Sequence, residues 1–500
     1  MFRSILVRPY AQYISSQVKK QAKNAVSDQK DLFKSLIDTA KDTNFGKDHG
    51  FDGIKNHKDF VKQVPIRDYE GLKPFIEMMI SGEEDVLWPG KPKYYAKTSG
   101  TTSGVKYIPI THDSMPTHIN MARNAMMNYV VKSGLYKVYD GKMMFLSGSP
   151  ELDYTKGVPT GRLSGIVNHE IPGWIKNNQM PDFNTNCIEP WEDKVDEIVK
   201  LTAKQNMTLI SGIPSWVQMY FERLLSFTGA QTVKEVFPNF NLFIYGGVNY
   251  QPYKQAITEL IGEDIHNCEL YPASEGFIAF QDSVEFDGMM LQTQAGIFYE
   301  FVPRDEIFNE NPTRLTLEEV ELGKDYALVL SSNAGLWAYN IGDTVRFTSL
   351  DPYKVVVSGR IKHYISAFGE HVIGKEVESA MVEVISKYAA RVNEFTVAPQ
   401  VNPNGSELPF HEWFVEFEDL PYDMDSFRSD LDKSMQRQNI YYLDLINGKI
   451  LQPLKITALQ KNAFRKYMQS KGKLGGQNKV PRLSNDRKIA RDLLNYKLDI

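Results

Sequence analysis

Four short apolar runs, at 142–146, 207–210, 242–245 and 268–271, narrow most sharply what this chain can fold into. Each has the length of one strand and no polar alternation, so each reads as a strand covered on both faces. Helical spacing fills the stretches 115–131, 194–204, 216–227 and 253–260 around them. Buried strands alternating with helices predict an α/β fold, with sheets covered by helices. From 296 to 357 the strands crowd together (297–302, 326–330, 344–347, 354–357), which predicts an antiparallel region. Beyond Arg360, a helix near 374–387, strands near 394–398 and 413–417, and helices near 425–439 and 459–470 predict a small α+β unit. The expected division is a large unit, 1–360, opening with helices, and a smaller one, 361–500.

Charge and composition remove several classes of function. The 500 residues carry 57 Lys+Arg against 62 Asp+Glu, a formal net charge of −5, so nucleic acid is not the expected partner. Cys187 and Cys268 are the only cysteines, too few for a disulfide scaffold or a multi-cysteine metal site. The nine histidines show no ligand spacing, which argues against a transition-metal centre. A mean hydropathy of −0.37 and the lack of a long apolar run predict no membrane span, and a cytoplasmic location is expected. No acidic residue precedes Asp28, while Arg3, Arg8, Lys19, Lys20 and Lys23 are basic. Such a segment suits a transit peptide or a membrane-surface helix, but also a basic helix folded onto the body, which is the reading adopted.

The chemistry is concentrated in three motifs. Thr98, Ser99, Gly100, Thr101, Thr102, Ser103 and Gly104 form an unbroken Ser/Thr/Gly run that follows a strand-like segment and precedes Lys106. Its glycines allow a tight turn with inward N–H groups, five hydroxyls add donors, and Lys106 adds a point charge: a phosphate seat. A solvated turn is the competing reading. The run is not a Walker A loop, because Val105 and Tyr107 stand where that pattern needs Gly and Ser or Thr. Second comes Tyr271-Pro272-Ala273-Ser274-Glu275-Gly276. Glu275 at the end of a buried strand suits Mg²⁺ on phosphates, and Tyr271 suits stacking on a base. Pro272 stands where a nucleophile elbow needs Gly, so a serine hydrolase is excluded. Third are Gly342-Asp343 and Gly359-Arg360, where Asp343 can accept from a ribose diol and Arg360 can bind phosphate or ribose. Each of these two is bland alone. Arg123 can pair with a substrate carboxylate or sit in solvent, and Trp174, Trp216 and Met219 read as core.

In this order the three motifs resemble the adenylate-forming superfamily of acyl-CoA synthetases, luciferases and non-ribosomal adenylation domains. The closer resemblance is to the acyl acid amido synthetases of the auxin-responsive Gretchen Hagen family and their bacterial relatives. It is carried by Val64-Pro65-Ile66-Arg67-Asp68-Tyr69-Glu70-Gly71-Leu72-Lys73-Pro74, by Tyr107-Ile108-Pro109 after Lys106, and by the ending Lys479-Val480-Pro481-Arg482. The likeness runs from about residue 30 to 485.

That resemblance implies ATP and Mg²⁺, a carboxylic acid activated as its acyl-adenylate, and transfer to an amine, usually of an amino acid. Alternatives are transfer to coenzyme A, or a catalytically silent binding relative. It implies that Ser99, Gly100, Thr101, Thr102, Ser103, Gly104 and Lys106 cradle phosphates, and that Gly247, Val248 and Tyr271 border the adenine. Glu275 would hold Mg²⁺, Asp343 the ribose, and Arg360 the nucleotide near a hinge. A mobile C-terminal lid would bring in a lysine, Lys479, with Lys473 as the rival; a solvated basic tail is the plainer reading of both. No obligate protein partner is evident.

Overall fold

The computed structural model describes residues 3–99, 105–188, 191–247, 250–361, 364–365, 367–370, 372–403, 405, 407–471 and 480–498. It begins with the basic helix Arg3–Lys23, which lies on the body. Ala11, Ile14 and Val18 are buried on one face, and Ser4 holds Asp140 through its N–H (2.9 Å) and hydroxyl (2.8 Å). The reading as a helix folded onto the body therefore matches the structure. No helix among the described residues is long and apolar enough to cross a membrane.

Strands β1 (Tyr94–Ser99) and β2 (Val105–Ile110) form an antiparallel hairpin in which Ser99 stands opposite Val105. After β3 (Lys142–Phe145), strands β4 (Asp153–Thr155) and β5 (Val158–Gly161) complete a four-stranded sheet ordered β2-β1-β5-β4. The apolar runs become β3, β7 (Met207–Ser211), β8 (Leu242–Gly246) and β9 (His266–Ala273), joined by β6 (Gln179–Met180). These pair in parallel, as buried runs joined by helices should.

The antiparallel region is not a separate sheet. A tight turn reverses β9 into β10 (Gly276–Phe280), and β11 (Met289–Leu291) follows. Strands β12 (Ile297–Pro303), β13 (Asp325–Ser332), β14 (Tyr339–Leu350) and β15 (Tyr353–Arg360) then extend the same surface. The result is one eleven-stranded mixed sheet, ordered β12-β13-β14-β15-β11-β10-β9-β8-β7-β3-β6. The turn brings the end of β9 within reach of β14, although the two are far apart in sequence.

Past Arg360 come the short pair β16 (Tyr364–Ile365) and β17 (Val372–Ile373), then β18 (Arg391–Gln400), β19 (Phe410–Asp419) and β20 (Lys455–Leu459) in a three-stranded sheet. The helices Gly374–Tyr388 and Met424–Gln438 pack with this sheet, as expected. Two elements differ from the sequence reading. The helix expected at 459–470 starts at Ala463, because Leu459 ends β20, which runs parallel to β19; and Ile440–Asn447 is a further helix. One apolar cluster links this region to the back of the large sheet, and the Tyr253 hydroxyl donates to Ala367 O at 2.5 Å across the junction.

Candidate active site

A cleft of about 2570 Å³ opens where β7, β8 and β9 end, walled by both the large sheet and the C-terminal elements. Parallel strands deliver ligands to this edge, where loops are free to differ while the sheet stays rigid. Thr98 at the end of β1 and Lys106 at the start of β2 both line it, so the hairpin bearing the hydroxyl-rich run faces the cleft. Residues 100–104 themselves lie outside the described residues, as does Val248.

The segment 64–74 supports that hairpin. The Tyr107 N–H donates to the Tyr69 hydroxyl at 3.0 Å, and Lys106 Nζ stands 5.5 Å from the centre of the Tyr69 ring. The backbone of Arg67 also pairs with β14, its N–H donating to Ala338 O (3.0 Å) and its carbonyl accepting from Asn340 N (2.8 Å). This segment therefore ties the hairpin to the far side of the sheet.

The second and third motifs meet on one wall. The Tyr271 hydroxyl donates to the Asp343 carboxylate, and the Tyr339 hydroxyl lies 3.4 Å from Glu275 Oε1. Asp343 is 2% exposed, and Gly342 before it has φ +90°, a conformation that favours glycine and turns the strand toward the cleft. Arg360 is the register partner of Asp343 across β14 and β15. Gly247, at φ +83° just after β8, also borders the cleft. Lys106, Gly247, Tyr271, Glu275 and Asp343 thus share one cavity.

Two expectations fall elsewhere. Arg123 is not among the residues lining the cleft; its guanidinium donates to Asn124 Oδ1 at 3.2 and 2.9 Å. Its helix, Met115–Ser133, turns Met121 and Ala125 inward, and Arg123 between them falls on the opposite flank. Lys473 and Lys479 lie outside the described residues. The residues that follow are anchored: Arg482 pairs with Glu394, donates to Glu378 Oε1 and Phe395 O at 3.0 Å, and Pro481 and Leu483 line the cleft.

Three residues of the cleft carry no motif. Trp216, read as core, lines the cavity from the helix Pro214–Thr228. Lys194 is 1% exposed and donates to Ser147 O (2.9 Å) and Asn186 O (2.7 Å), which fixes the loop after β3; burial pushes its pKa down to about 8. Glu269 interrupts an apolar strand, and burial raises its carboxyl from 4.5 to about 7. The sequence reading passed over it; a charge inside an otherwise apolar run was the signal that could have found it. Because the folded pKa lies above the unfolded one, the cost of the buried charge is present above pH 7 and vanishes below about 4.5. Glu269→Gln is therefore expected to stabilise the protein by up to about 3 kcal/mol at pH 8. The gain disappears toward pH 4; thermal unfolding at both pH values is the check, and a gain independent of pH contradicts it.

Comparison with known proteins places this geometry. Solved structures with the same fold include a GH3 acyl acid amido synthetase (TM-score 0.61, 15% identity, 97% of this chain and 96% of that one). Another is a 2-hydroxyisobutyryl-CoA ligase holding its adenylate and CoA (TM-score 0.56, 14% identity, 97% and 92%). The chain thus has the fold of this class of ligases. Within that class the chain belongs to the GH3 family, whose N-terminal, central and C-terminal domain models match residues 14–186, 290–360 and 375–488. An indole-3-acetic acid-amido synthetase of Arabidopsis thaliana is 22% identical over 93% of this chain and 90% of its own length. A jasmonoyl–L-amino acid synthetase of Nicotiana attenuata is 22% identical over 65% and 67%.

Proposed function

We propose that this protein activates a carboxylic acid with ATP and transfers the acyl group to an amine, most simply that of an amino acid. The observation that carries the reading is the convergence of Lys106, Tyr271, Glu275 and Asp343 on one cleft from three distant stretches of chain. Relatives that act on acids and amino acids support it.

In the first step a carboxylate oxygen attacks the α-phosphorus, and the bond to pyrophosphate breaks. Charge grows on the phosphoryl oxygens, which Lys106 and the hydroxyl-rich run Thr98–Gly104 would neutralise. Tyr271 and Gly247 border the base, and Asp343 takes the ribose hydroxyls with Arg360 beside it. Glu275 brings a hard carboxylate to the cleft wall and would hold Mg²⁺ beside the phosphates. The ion would supply charge neutralisation there. In the second step the amine nitrogen attacks the acyl carbon, the bond to AMP breaks, and the nitrogen gives up its proton.

Residues 361–500 act as the lid, with Lys479 brought to the α-phosphate and Lys473 as the rival. The anchoring of residues 480–483 beside the cleft supports this. The two free cysteines suit a reducing cytoplasm.

The test is acid-dependent pyrophosphate release, with and without an amino-acid panel. Release with any acid, followed by amide formation, is expected; release consumed only by coenzyme A would make the protein a thioester-forming ligase. Lys479→Ala is expected to slow pyrophosphate release while leaving conversion of a preformed acyl-adenylate to amide unchanged. The reverse pattern removes that lysine from the first step.

A further inference from the structure

Among the described residues lining the cleft, Glu269 is a carboxylate that burial raises to about 7. Its backbone is pinned, the N–H donating to Gln281 Oε1 at 3.0 Å and the carbonyl accepting from Gln281 N at 2.8 Å. Its side chain has no hydrogen bond or ion pair with any described residue, and burial is the only cause resolved for its shift. Glu269 is half-buried, and a partly desolvated carboxylate without an ionic partner is costly, so folding alone gives no reason to keep it. Sites that keep such a cost commonly use it on a ligand.

Its position says which part of a ligand. On β9, Glu269 and Tyr271 are two residues apart and share a face, so Glu269 lies about 6–7 Å further from the strand end that borders the nucleotide seat. It stands in register with Tyr245 of β8, and Ser211, Ile213 and Trp216 line the same cleft. Glu269 adds a carboxylate acceptor to this part of the cleft, set back from the seat. A substrate whose carboxylate reaches the α-phosphate would extend its other end toward it.

We infer that Glu269 is a specificity determinant that selects an acid bearing a hydrogen-bond donor, a hydroxyl in the simplest case, at the end remote from its carboxylate. The inference rests on the acid-activating reading of the cleft and goes beyond it by naming a class of acid. A recess built to accept a hydrogen bond penalises the analogue that lacks the donor, because the carboxylate is then left dry and unpaired.

The test uses the full chain and matched pairs of acids: phenylpropanoic with 4-hydroxyphenylpropanoic acid, and medium-chain fatty acids with their ω-hydroxy counterparts. In at least one pair the hydroxylated member is expected to show kcat/KM for pyrophosphate release higher by about 10- to 100-fold. Glu269→Leu is expected to abolish or reverse that preference while retaining the unsubstituted partner, and Glu269→Gln, which keeps an acceptor oxygen, to preserve part of it. Equal use of both members of every pair by the wild type overturns the inference, and so does a preference unchanged in Glu269→Leu. Calorimetric binding of the same pairs separates the two readings. If no acid releases pyrophosphate, the ligase reading fails; a hydroxylated acid that still binds tighter, and loses that advantage in Glu269→Leu, upholds the recess, whereas equal binding sinks it.

Discussion

Glu275→Gln is expected to lower acid-dependent pyrophosphate release by about 100- to 1000-fold, the cost of removing one preorganised electrostatic group from a phosphoryl-type transition state. The substitution keeps the shape of the side chain and an oxygen for the Tyr339 hydroxyl, which lies 3.4 Å from Glu275 Oε1. Only the negative charge is lost, and that charge is what a Mg²⁺ ion needs. The thermal midpoint should therefore move little, and nucleotide binding without Mg²⁺ should be nearly unchanged. Glu275→Ala, which also removes the oxygen, should be at least as inactive. A Glu275→Gln enzyme retaining more than a tenth of wild-type turnover would remove the metal assignment.

Arg314→Met is expected to destabilise the protein by about 3–5 kcal/mol, the cost of removing the main partner of a buried charge. Glu300 on β12 is fully buried; it takes Arg314 Nε and Nη2 at 2.8 and 2.7 Å, and His57 Nε2 lies 2.6 Å away. Burial pushes the Glu300 carboxyl up, but Arg314 and His57 outweigh it and hold it below the usual carboxylate range. The stabilisation is therefore present above the ordinary carboxylate pKa and is lost as the pH falls through the lower folded value. The defect should shrink accordingly on acidification. Arg314 Nη1 also donates to Val64 O at 2.5 Å, so the loss should loosen the segment that supports the phosphate hairpin. Urea unfolding at pH 7 and pH 4 is the measurement, with Glu300→Leu/Arg314→Met recovering much of the loss. A single variant as stable as wild type at pH 7 would show that the pair contributes nothing.

Several residues that line the cleft were legible in the sequence: Thr98, Lys106, Tyr271, Glu275, Gly342 and Asp343 belong to local motifs whose backbone needs show in their residue types. Asp343 and Arg360 standing in register is a consequence of the β14–β15 hairpin, whose bulged pairing the sequence reading did not predict. Arg123 shows the limit of such reasoning: proximity to the phosphate loop in sequence suggested a carboxylate partner, but the helix face it occupies turns it away. Trp216 was read as core because an aromatic at helical spacing usually is, and only the packing of its helix against the cleft places it on the wall.

The sequence alone determined the alternation of buried strands and helices, and the three polar motifs, since hydrophobic period and turn chemistry act over a few residues. The folded chain alone decided that the antiparallel strands continue the parallel ones in a single sheet, because a reversal after β9 and the pairing of β11 with β15 depend on long-range register. It also decided that Glu269 is half-buried with no side-chain partner among the described residues, since burial is a property of everything packed around a residue and not of its neighbours along the chain.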